Sequence, residues 1–99
     1  MKKNYGKKPE NCSVTFALPK EAVKGARTVA LVGEFNNWDT EGLQLKKRKD
    51  GSFSISRILP SGAKYQFRFL INGKKWENAW DADDYVRNAH GTENSVVAI

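Results

Sequence analysis

The chain has 99 residues and a formal net charge of +6, with 17 Lys and Arg against 11 Asp and Glu. This length suits one small domain and excludes folds such as the (β/α)₈ barrel, which needs about 250 residues. No apolar run approaches the roughly 18 residues of a membrane-spanning helix, so we expect no membrane partner.

The N-terminal segment and the cysteine content favour a cytoplasmic location. The first residues, MKKNYGKKPEN, are basic, but they are not followed by the apolar segment of a secretory signal. Cys12 is the single cysteine, which excludes an internal disulfide and favours the cytosol. We expect residues 1–10 to form a basic, flexible tail and residues 11–99 to form the folded domain.

The first half of the chain contains two predicted strands. In SVTFALP, the apolar residues Val14, Phe16 and Leu18 alternate with smaller or polar residues, which indicates a strand with one buried face. The next segment, PKEAVKGA, is compatible with either a turn of helix or a loop. TVALVGEF is apolar on both faces, and such a strand is usually central in a sheet or sandwiched between layers.

The second half predicts two hairpins and a final strand. LQLKKRKDGSFSISRIL is typical of a hairpin with a type I′ turn at Asp50-Gly51. In KYQFRFLING, alternation predicts two faces, one with Tyr65, Phe67, Phe69 and Ile71 and the other with Gln66, Arg68, Leu70 and Asn72. Asn72-Gly73 predicts the next turn, and NSVVAI predicts the last strand. About seven to eight short strands without a long helix indicate an all-β fold, an antiparallel β-sandwich.

The sequence contains no recognisable pattern for catalysis or metal binding. His90 is the only histidine and lies far from Cys12, so no His/Cys cluster has the spacing of a metal site. Motifs of a catalytic serine and of a phosphate-binding loop are also missing. The acidic stretch of Asp81, Asp83 and Asp84 lacks the Gly and Glu positions of an EF-hand and predicts a solvated loop. We therefore expect no enzyme activity, no cofactor and no metal.

Two of the three tryptophans are predicted to lie at the surface. Trp38 lies among the turn residues of EFNNWD, and Trp76 follows the Asn72-Gly73 turn. Exposed aromatic side chains of this size usually mark a binding surface, whereas Trp80 is equally compatible with the core. An indole suits the apolar C–H face of a sugar ring, and its hydroxyl rim suits the polar residues nearby: Asn36, Asn37, Gln66, Arg68 and Asn94.

Three segments together resemble the family 48 carbohydrate-binding modules: VALVGEFNNWD, YQFRFLINGKKW and GTENSVVAI. The resemblance runs from about Cys12 to Ile99, and WENAWDADDYVRN is similar to small stand-alone prokaryotic members. It implies an immunoglobulin-like, "early set" β-sandwich. Such modules occur at the N-terminus of glycogen branching and isoamylase-type debranching enzymes and as the glycogen-binding domain of the AMP-activated protein kinase β subunit.

The resemblance also implies a function and its residues. The function is non-catalytic binding of α-glucan, such as glycogen, starch, amylose or maltooligosaccharide, with an amylase-type branching or debranching enzyme as a further partner. One additional residue, Lys74 or Lys75, precedes the second stacking tryptophan, and a histidine replaces a sugar-clasping leucine. The predicted carbohydrate-binding residues are Trp38, Trp76, Arg68, Asn94, Thr92, Asn37 and His90.

Two other functions are compatible with the sequence. One is a protein-interaction module that docks onto a glucan-metabolising enzyme and keeps only a vestigial sugar site. The other is single-strand nucleic-acid binding, which combines aromatic residues with positive charge. The basic runs lie in other segments than the tryptophans, so we expect them to be solvated and expect no nucleic-acid partner. These runs are Lys2, Lys3, Lys7, Lys8 and Lys46, Lys47, Arg48, Lys49.

Overall fold

A computed structural model describes residues 1–7 and 9–99 as two antiparallel sheets that enclose one core. Lys8, which belongs to the predicted tail, lies outside the described residues. The described strands are β1 (Lys2–Asn4), β2 (Asn11–Leu18), β3 (Val29–Gly33), β4 (Leu43–Gln44), β5 (Lys46–Lys47), β6 (Phe53–Pro60), β7 (Lys64–Ile71), β8 (Lys75–Glu77), β9 (Asp84–Arg87) and β10 (Glu93–Ala98).

The architecture confirms the predicted all-β antiparallel sandwich. Within the described residues there are ten strands rather than about seven to eight, because four of the strands contain only two or three residues. The segment that was compatible with a helical turn or a loop contains a short 3₁₀ turn, Lys20–Ala22. A second 3₁₀ turn, Glu34–Asn36, follows β3.

The strands divide into a four-stranded first sheet and a six-stranded second sheet. The first has the order β1-β2-β6-β5. The second has the order β4-β3-β7-β10-β9, and its sixth strand, β8, pairs with β7. Strand β7 is paired on both sides, with β3 on one side and with β10 and β8 in succession on the other. It is therefore the central strand of the second sheet.

The core consists of the inward-facing residues of both sheets. Phe67 and Phe69 of β7 are completely buried, as their alternation predicts. The ring of Phe67 meets Phe16 of the first sheet edge-on, with 5.0 Å between centroids, and meets Phe69 at 5.7 Å. Burial of each such ring contributes about 1.5–3 kcal/mol, so these aromatic contacts hold the two sheets together.

Strand β3 is buried on both faces and lies between β4 and β7, as expected for a strand that is central or sandwiched. Val29 and Leu31 belong to the main core, whereas Ala30 and Val32 pack with Leu70 on the outer face of the second sheet. The three residues of this small outer cluster are themselves buried. The cluster lies on the face that the polar residues of β7 also share.

The hairpin predicted before β6 is only partly correct. Leu43–Gln44 pairs with β3 of the second sheet, whereas Lys46–Lys47 pairs with β6 of the first. Between them Leu45 is buried, and its N–H donates to the carbonyl of Val29 at 2.8 Å. Burial of Leu45 in the core makes the chain cross from one sheet to the other at this residue.

The type I′ turn predicted at Asp50-Gly51 is wrong. Such a turn needs positive φ at both central residues, but only Gly51 of the pair has it, at 90°. The N–H of Gly51 donates to the carbonyl of Arg48 at 3.0 Å. The chain therefore makes a tight turn over Arg48–Gly51 and uses the glycine to re-enter the strand.

The predicted flexible tail includes a strand. Residues Lys2–Asn4 pair antiparallel with β2 at the edge of the first sheet. The Lys3 ammonium lies 2.7 Å from the Asp83 carboxylate, which also accepts the N–H of Ala98 at 2.7 Å. Asp83 is thus a structural anchor rather than part of a solvated loop, while the domain boundary at residue 11 stays a prediction.

Partial burial raises the pKa of Asp83, but the bonds from Lys3 and Ala98 outweigh it and hold the pKa below its usual value. Asp83→Asn should therefore destabilise the protein by about 1 kcal/mol near neutral pH. The folded-state pKa lies below the unfolded value of about 3.9. The difference between wild type and variant should then be complete above that pH and shrink as the pH falls through the folded-state pKa.

Urea unfolding of both proteins over a series of pH values measures this difference. Glu41→Gln is the control, because Glu41 is exposed and forms no ion pair with any of the described residues. A destabilisation by Asp83→Asn that stayed constant down to about pH 2 would contradict the assignment.

Candidate functional site

The turn after β3 is closed by one side-chain amide. Asn36 Oδ1 accepts the N–H of Gly33 at 2.9 Å, and its Nδ2 donates to the carbonyls of Leu31 and Asp39, both at 3.2 Å. The N–H of Trp38 donates to the carbonyl of Gly33 at 2.9 Å. These bonds return the chain on itself and leave the Trp38 side chain at the tip.

The backbone at the tip is strained. Asn37 and Trp38 are consecutive residues with φ of 56° and 58°, the left-handed region. Asn tolerates this conformation, but a residue with a bulky side chain pays about 1–2 kcal/mol for it. The turn therefore holds Trp38 in place at the expense of stability, which is typical of functional positions.

Position 33 requires glycine because there is no room for a Cβ atom, and not because of its dihedral angles. Its φ is extended, at −169°, but an added Cβ would lie 2.7 Å from the Gln66 carbonyl oxygen and 2.8 Å from Phe67 Cβ. It would also touch the ring of Phe35, which packs against the core. The backbone of the Trp38 turn thus approaches β7 closely at Gly33.

The hairpin between β7 and β8 orients Trp76. Asn72 and Gly73 both have positive φ, 54° and 67°, and the N–H of Lys74 donates to the carbonyl of Ile71. The register then pairs Leu70 with Trp76. Opposite residues of an antiparallel pair share a face, so Trp76 lies with Leu70 on the outer face of the second sheet.

Arg68 lies beside Trp76 on this face. Its guanidinium carbon is 5.2 Å from the centroid of the indole ring, which is a cation–π contact worth about 0.5–1 kcal/mol at an exposed site. Its Nε is buried and has no hydrogen-bond partner among the described residues. The contact restrains both side chains and leaves polar hydrogens of Arg68 available beside the indole.

A cluster of side-chain amides forms the other side of the site. Asn88, just after β9, accepts the backbone N–H groups of His90 and Thr92 at 2.9 and 3.2 Å. Its Nδ2 donates to Asn94 Oδ1 at 3.1 Å, and Asn94 Nδ2 donates to Gln66 Oε1 at 3.1 Å. The cluster links the β9–β10 turn to the central strand.

These elements surround one groove on the outer face of the second sheet, with a cavity volume of about 590 Å³. Such a volume lies within the usual range for ligand sites, about 300–1,000 Å³. Trp38 and Trp76 are 38% and 40% exposed, so part of each indole is open to solvent. The lining residues are Glu34, Trp38, Thr40, Gln66, Arg68, Trp76, Asn88, Ala89, His90 and Asn94.

Five of the seven residues predicted to bind carbohydrate line the groove: Trp38, Trp76, Arg68, Asn94 and His90. Asn37 and Thr92 lie outside the lining. Asn37 belongs to the tip of the Trp38 turn, and the Thr92 hydroxyl accepts the side-chain amide of Asn88 at 2.8 Å. The structure brings the five together, whereas a role of any of the seven in binding stays a prediction.

Several lining residues were not predicted as binding residues. Gln66 was noted only as a nearby polar residue, yet it faces the groove because it lies two residues before Arg68 on a strand. Glu34 is tied to β7 because its carboxylate accepts the N–H of Gln66 at 2.6 Å. Asn88 was not singled out either, although its partners His90, Thr92 and Asn94 lie within six residues of it and an asparagine that bonds the backbone two residues on is a local turn signal.

Trp80, whose position the sequence left open, is exposed but does not line the groove. It is 56% exposed and borders a separate, smaller cleft with Ala17, Leu18 and Pro19 at the end of the first sheet. The chain therefore has two tryptophans in the groove and one outside it, which provides an internal control for mutagenesis.

Comparison with known proteins shows the family of the chain. The sequence profile of the family described as "Glycogen recognition site of AMP-activated protein kinase" matches residues 7–99. The chain belongs to this family. It is also similar to the 1,4-alpha-glucan-branching enzyme of Saccharomyces cerevisiae (strain ATCC 204508 / S288c), with 41% identity over 64 residues. That match covers 61% of this chain but only 9% of the enzyme.

Within residues 1–7 and 9–99 there is no helix that is long and apolar enough to cross a membrane. The same residues contain no group of three or more His, Cys, Asp or Glu side chains placed to hold a metal ion.

The strain at position 38 can be measured apart from any ligand. Because residue 38 has positive φ, Trp38→Gly should be more stable than Trp38→Ala by about 1 kcal/mol. Trp76 lies in strand β8, where glycine is the poorer residue, so Trp76→Gly should be less stable than Trp76→Ala. Thermal unfolding of the four variants compares them, and the same order at both positions would contradict the strain.

Proposed function

We propose that this protein is a non-catalytic module that binds α-glucans such as glycogen, amylose and maltooligosaccharides. The observation that carries the proposal is the convergence of Trp38, Trp76 and Arg68 on one groove, although they come from separate parts of the chain. Membership in a family of glycogen recognition modules supports it.

In this proposal the two indoles form a platform for the C–H faces of glucose rings. Arg68 and Asn94 bond the hydroxyl groups at the rim of the rings. His90 faces the same groove and can stack on a ring or bond a hydroxyl in place of the leucine of related modules. Thr92 and Asn37 act at the two turns, Thr92 by supporting Asn88 and Asn37 by reaching a glucose beyond the groove.

The expected affinity of a single site is modest. If each indole loses about 100 Å² of exposed surface to a sugar, two indoles gain about 5 kcal/mol at about 25 cal/mol/Å². Each hydrogen bond adds about 1 kcal/mol, while association costs at least about 4 kcal/mol. The dissociation constant should then lie between roughly micromolar and millimolar. Such a site suits a polymer that offers many equivalent binding positions.

The proposal predicts that Trp38→Ala and Trp76→Ala each abolish the retardation of the protein in a native gel that contains glycogen. Trp80→Ala is the matched control, because Trp80 is exposed and lies outside the groove. Thermal unfolding verifies that each variant is folded. Retardation of both groove variants to the wild-type extent would rule out this site.

Ionic strength distinguishes this function from nucleic-acid binding. Affinity for a neutral glucan should barely change between about 50 and 200 mM salt, whereas binding to a phosphate backbone would fall steeply. The basic pair Lys46–Lys47 lies on β5 of the first sheet, and the groove lies on the second sheet. This separation argues against a shared nucleic-acid surface.

A second candidate function is docking onto a glucan-metabolising enzyme. The observation in its favour is that the similarity to a glucan-branching enzyme covers only 9% of that enzyme. The matched part there is therefore joined to a much larger protein. Co-purification with such an enzyme together with no retention on amylose resin would favour docking. Retention on amylose resin by the isolated protein would favour the glucan-binding module.

A further inference from the structure

We infer that a relay of three side-chain amides, Asn88, Asn94 and Gln66, sets the hydrogen-bonding polarity of the groove, so that Gln66 presents its NH₂ group to the ligand. The inference rests on the proposed function and adds to it a ligand-contacting residue, Gln66, and a positioning residue, Asn88. It also specifies which ligand atoms are recognised there, namely hydroxyl or ring oxygens acting as acceptors.

The polarity of the relay is set at Asn88. A backbone N–H can only donate, and two of them, from His90 and Thr92, point at the same side-chain atom of Asn88. That atom must therefore be the oxygen. The Thr92 hydroxyl donates to this oxygen as well, at 3.1 Å. The NH₂ group of Asn88 is left to face the next amide.

The polarity then passes through Asn94. Since Asn88 offers an NH₂ group, the atom of Asn94 that meets it at 3.1 Å is an oxygen. Asn94 is only 8% exposed, so this bond is shielded and an inverted amide would leave buried groups mismatched. The NH₂ group of Asn94 consequently points at Gln66, whose oxygen accepts from it at 3.1 Å.

Gln66 is the open end of the relay. Its oxygen is occupied by Asn94, and its backbone N–H is occupied by the carboxylate of Glu34. Its Nε2 donates to no residue in the described part of the chain, and the side chain lines the groove two residues from Arg68 on the same face. The floor of the groove therefore presents donors side by side, from Gln66 and Arg68.

The relay also gives different roles to Thr92 and Asn94, which the resemblance predicts alike as carbohydrate-binding residues. The Thr92 hydroxyl exchanges hydrogen bonds with the Asn88 amide and is outside the groove lining. Thr92 thus supports the anchored end of the relay. Asn94 transmits the polarity and keeps one amide hydrogen, whereas Gln66 delivers the polarity to the ligand.

Gln66→Glu tests the contact. Glutamate has the same shape and keeps an oxygen for Asn94, but it replaces the free NH₂ group by an acceptor. It should weaken maltoheptaose binding about tenfold, as expected for a lost donor facing a ligand oxygen. Gln66→Met, which adds no charge, should also weaken binding. Gln44→Glu is the matched control, because Gln44 lies on edge strand β4 and outside the groove.

Asn88→Asp tests the positioning. It keeps the oxygen that accepts the two backbone N–H groups, but it faces Asn94 with an oxygen instead of an NH₂ group. Asn94 and then Gln66 should turn over, and Gln66 should present its oxygen to the groove. Asn4→Asp is the control, because Asn4 Oδ1 likewise accepts a backbone N–H, from Gly6, but lies on β1 of the first sheet and faces no amide relay.

Side-chain amide signals in ¹H–¹⁵N spectra distinguish a positioning role of Asn88 from a merely structural one. In wild type, the Gln66 NH₂ signals should shift on titration with maltoheptaose. In Asn88→Asp they should no longer respond, although the indole N–H signals of the groove tryptophans still do at higher sugar concentration.

The outcomes separate the two proposals. If wild type does not bind maltoheptaose, the proposed function and the relay both fail. If wild type binds and Gln66→Glu binds equally well, or if the Gln66 signals respond unchanged in Asn88→Asp, only the relay is overturned.

Discussion

Strand β7 has paired neighbours along both sides, and this constraint governs both the core and the groove. Its inward residues include Phe67 and Phe69, which fill the space between the sheets. Its outward residues, Gln66 and Arg68, form the floor of the groove. Because side chains alternate along a strand, a shift of one residue would exchange these two sets. The free energy of burying the aromatic rings therefore also fixes which polar groups face the groove.

The neighbours of β7 then bring in the rest of the groove. Strand β3 delivers the Trp38 turn, strand β8 delivers Trp76, and the β9–β10 turn delivers Asn88 and His90. Side-chain hydrogen bonds fix the conformation of two of these turns. Asn36 closes the turn after β3, and Asn88 closes the turn between β9 and β10. Two asparagine side chains thus position residues that are far apart in sequence.

Local patterns were sufficient to predict the faces of β7, the central position of β3 and the surface position of Trp38. These depend on alternation and turn chemistry, which neighbouring residues determine. The crossing at Leu45 was not predictable in this way, because it depends on the space left in the core between two sheets. Strand β1 was not predictable from local patterns either. It forms because one edge of β2, around Thr15, offers backbone N–H and carbonyl groups for pairing.

The amide relay could not be predicted from local sequence patterns either. The bond between Asn94 and Gln66 joins residues 28 positions apart, so neither side chain indicates its partner through a local pattern. A family resemblance points to Asn94 but not to Asn88, because resemblance identifies the contact and not the residue that orients it. Only the three-dimensional pairing of β9, β10 and β7 brings the three amides into one line.

Stacking and hydrogen bonding make different demands on a ligand in this groove. An indole face accepts any apolar ring face and is insensitive to how the ring is turned about the stacking axis. A row of donors is sensitive, because each donor needs an oxygen at a fixed position. In the proposed function, Trp38 and Trp76 therefore supply most of the affinity without selecting an orientation. The proposed relay, which begins at two backbone N–H groups of the β9–β10 turn, would supply the selection through Gln66.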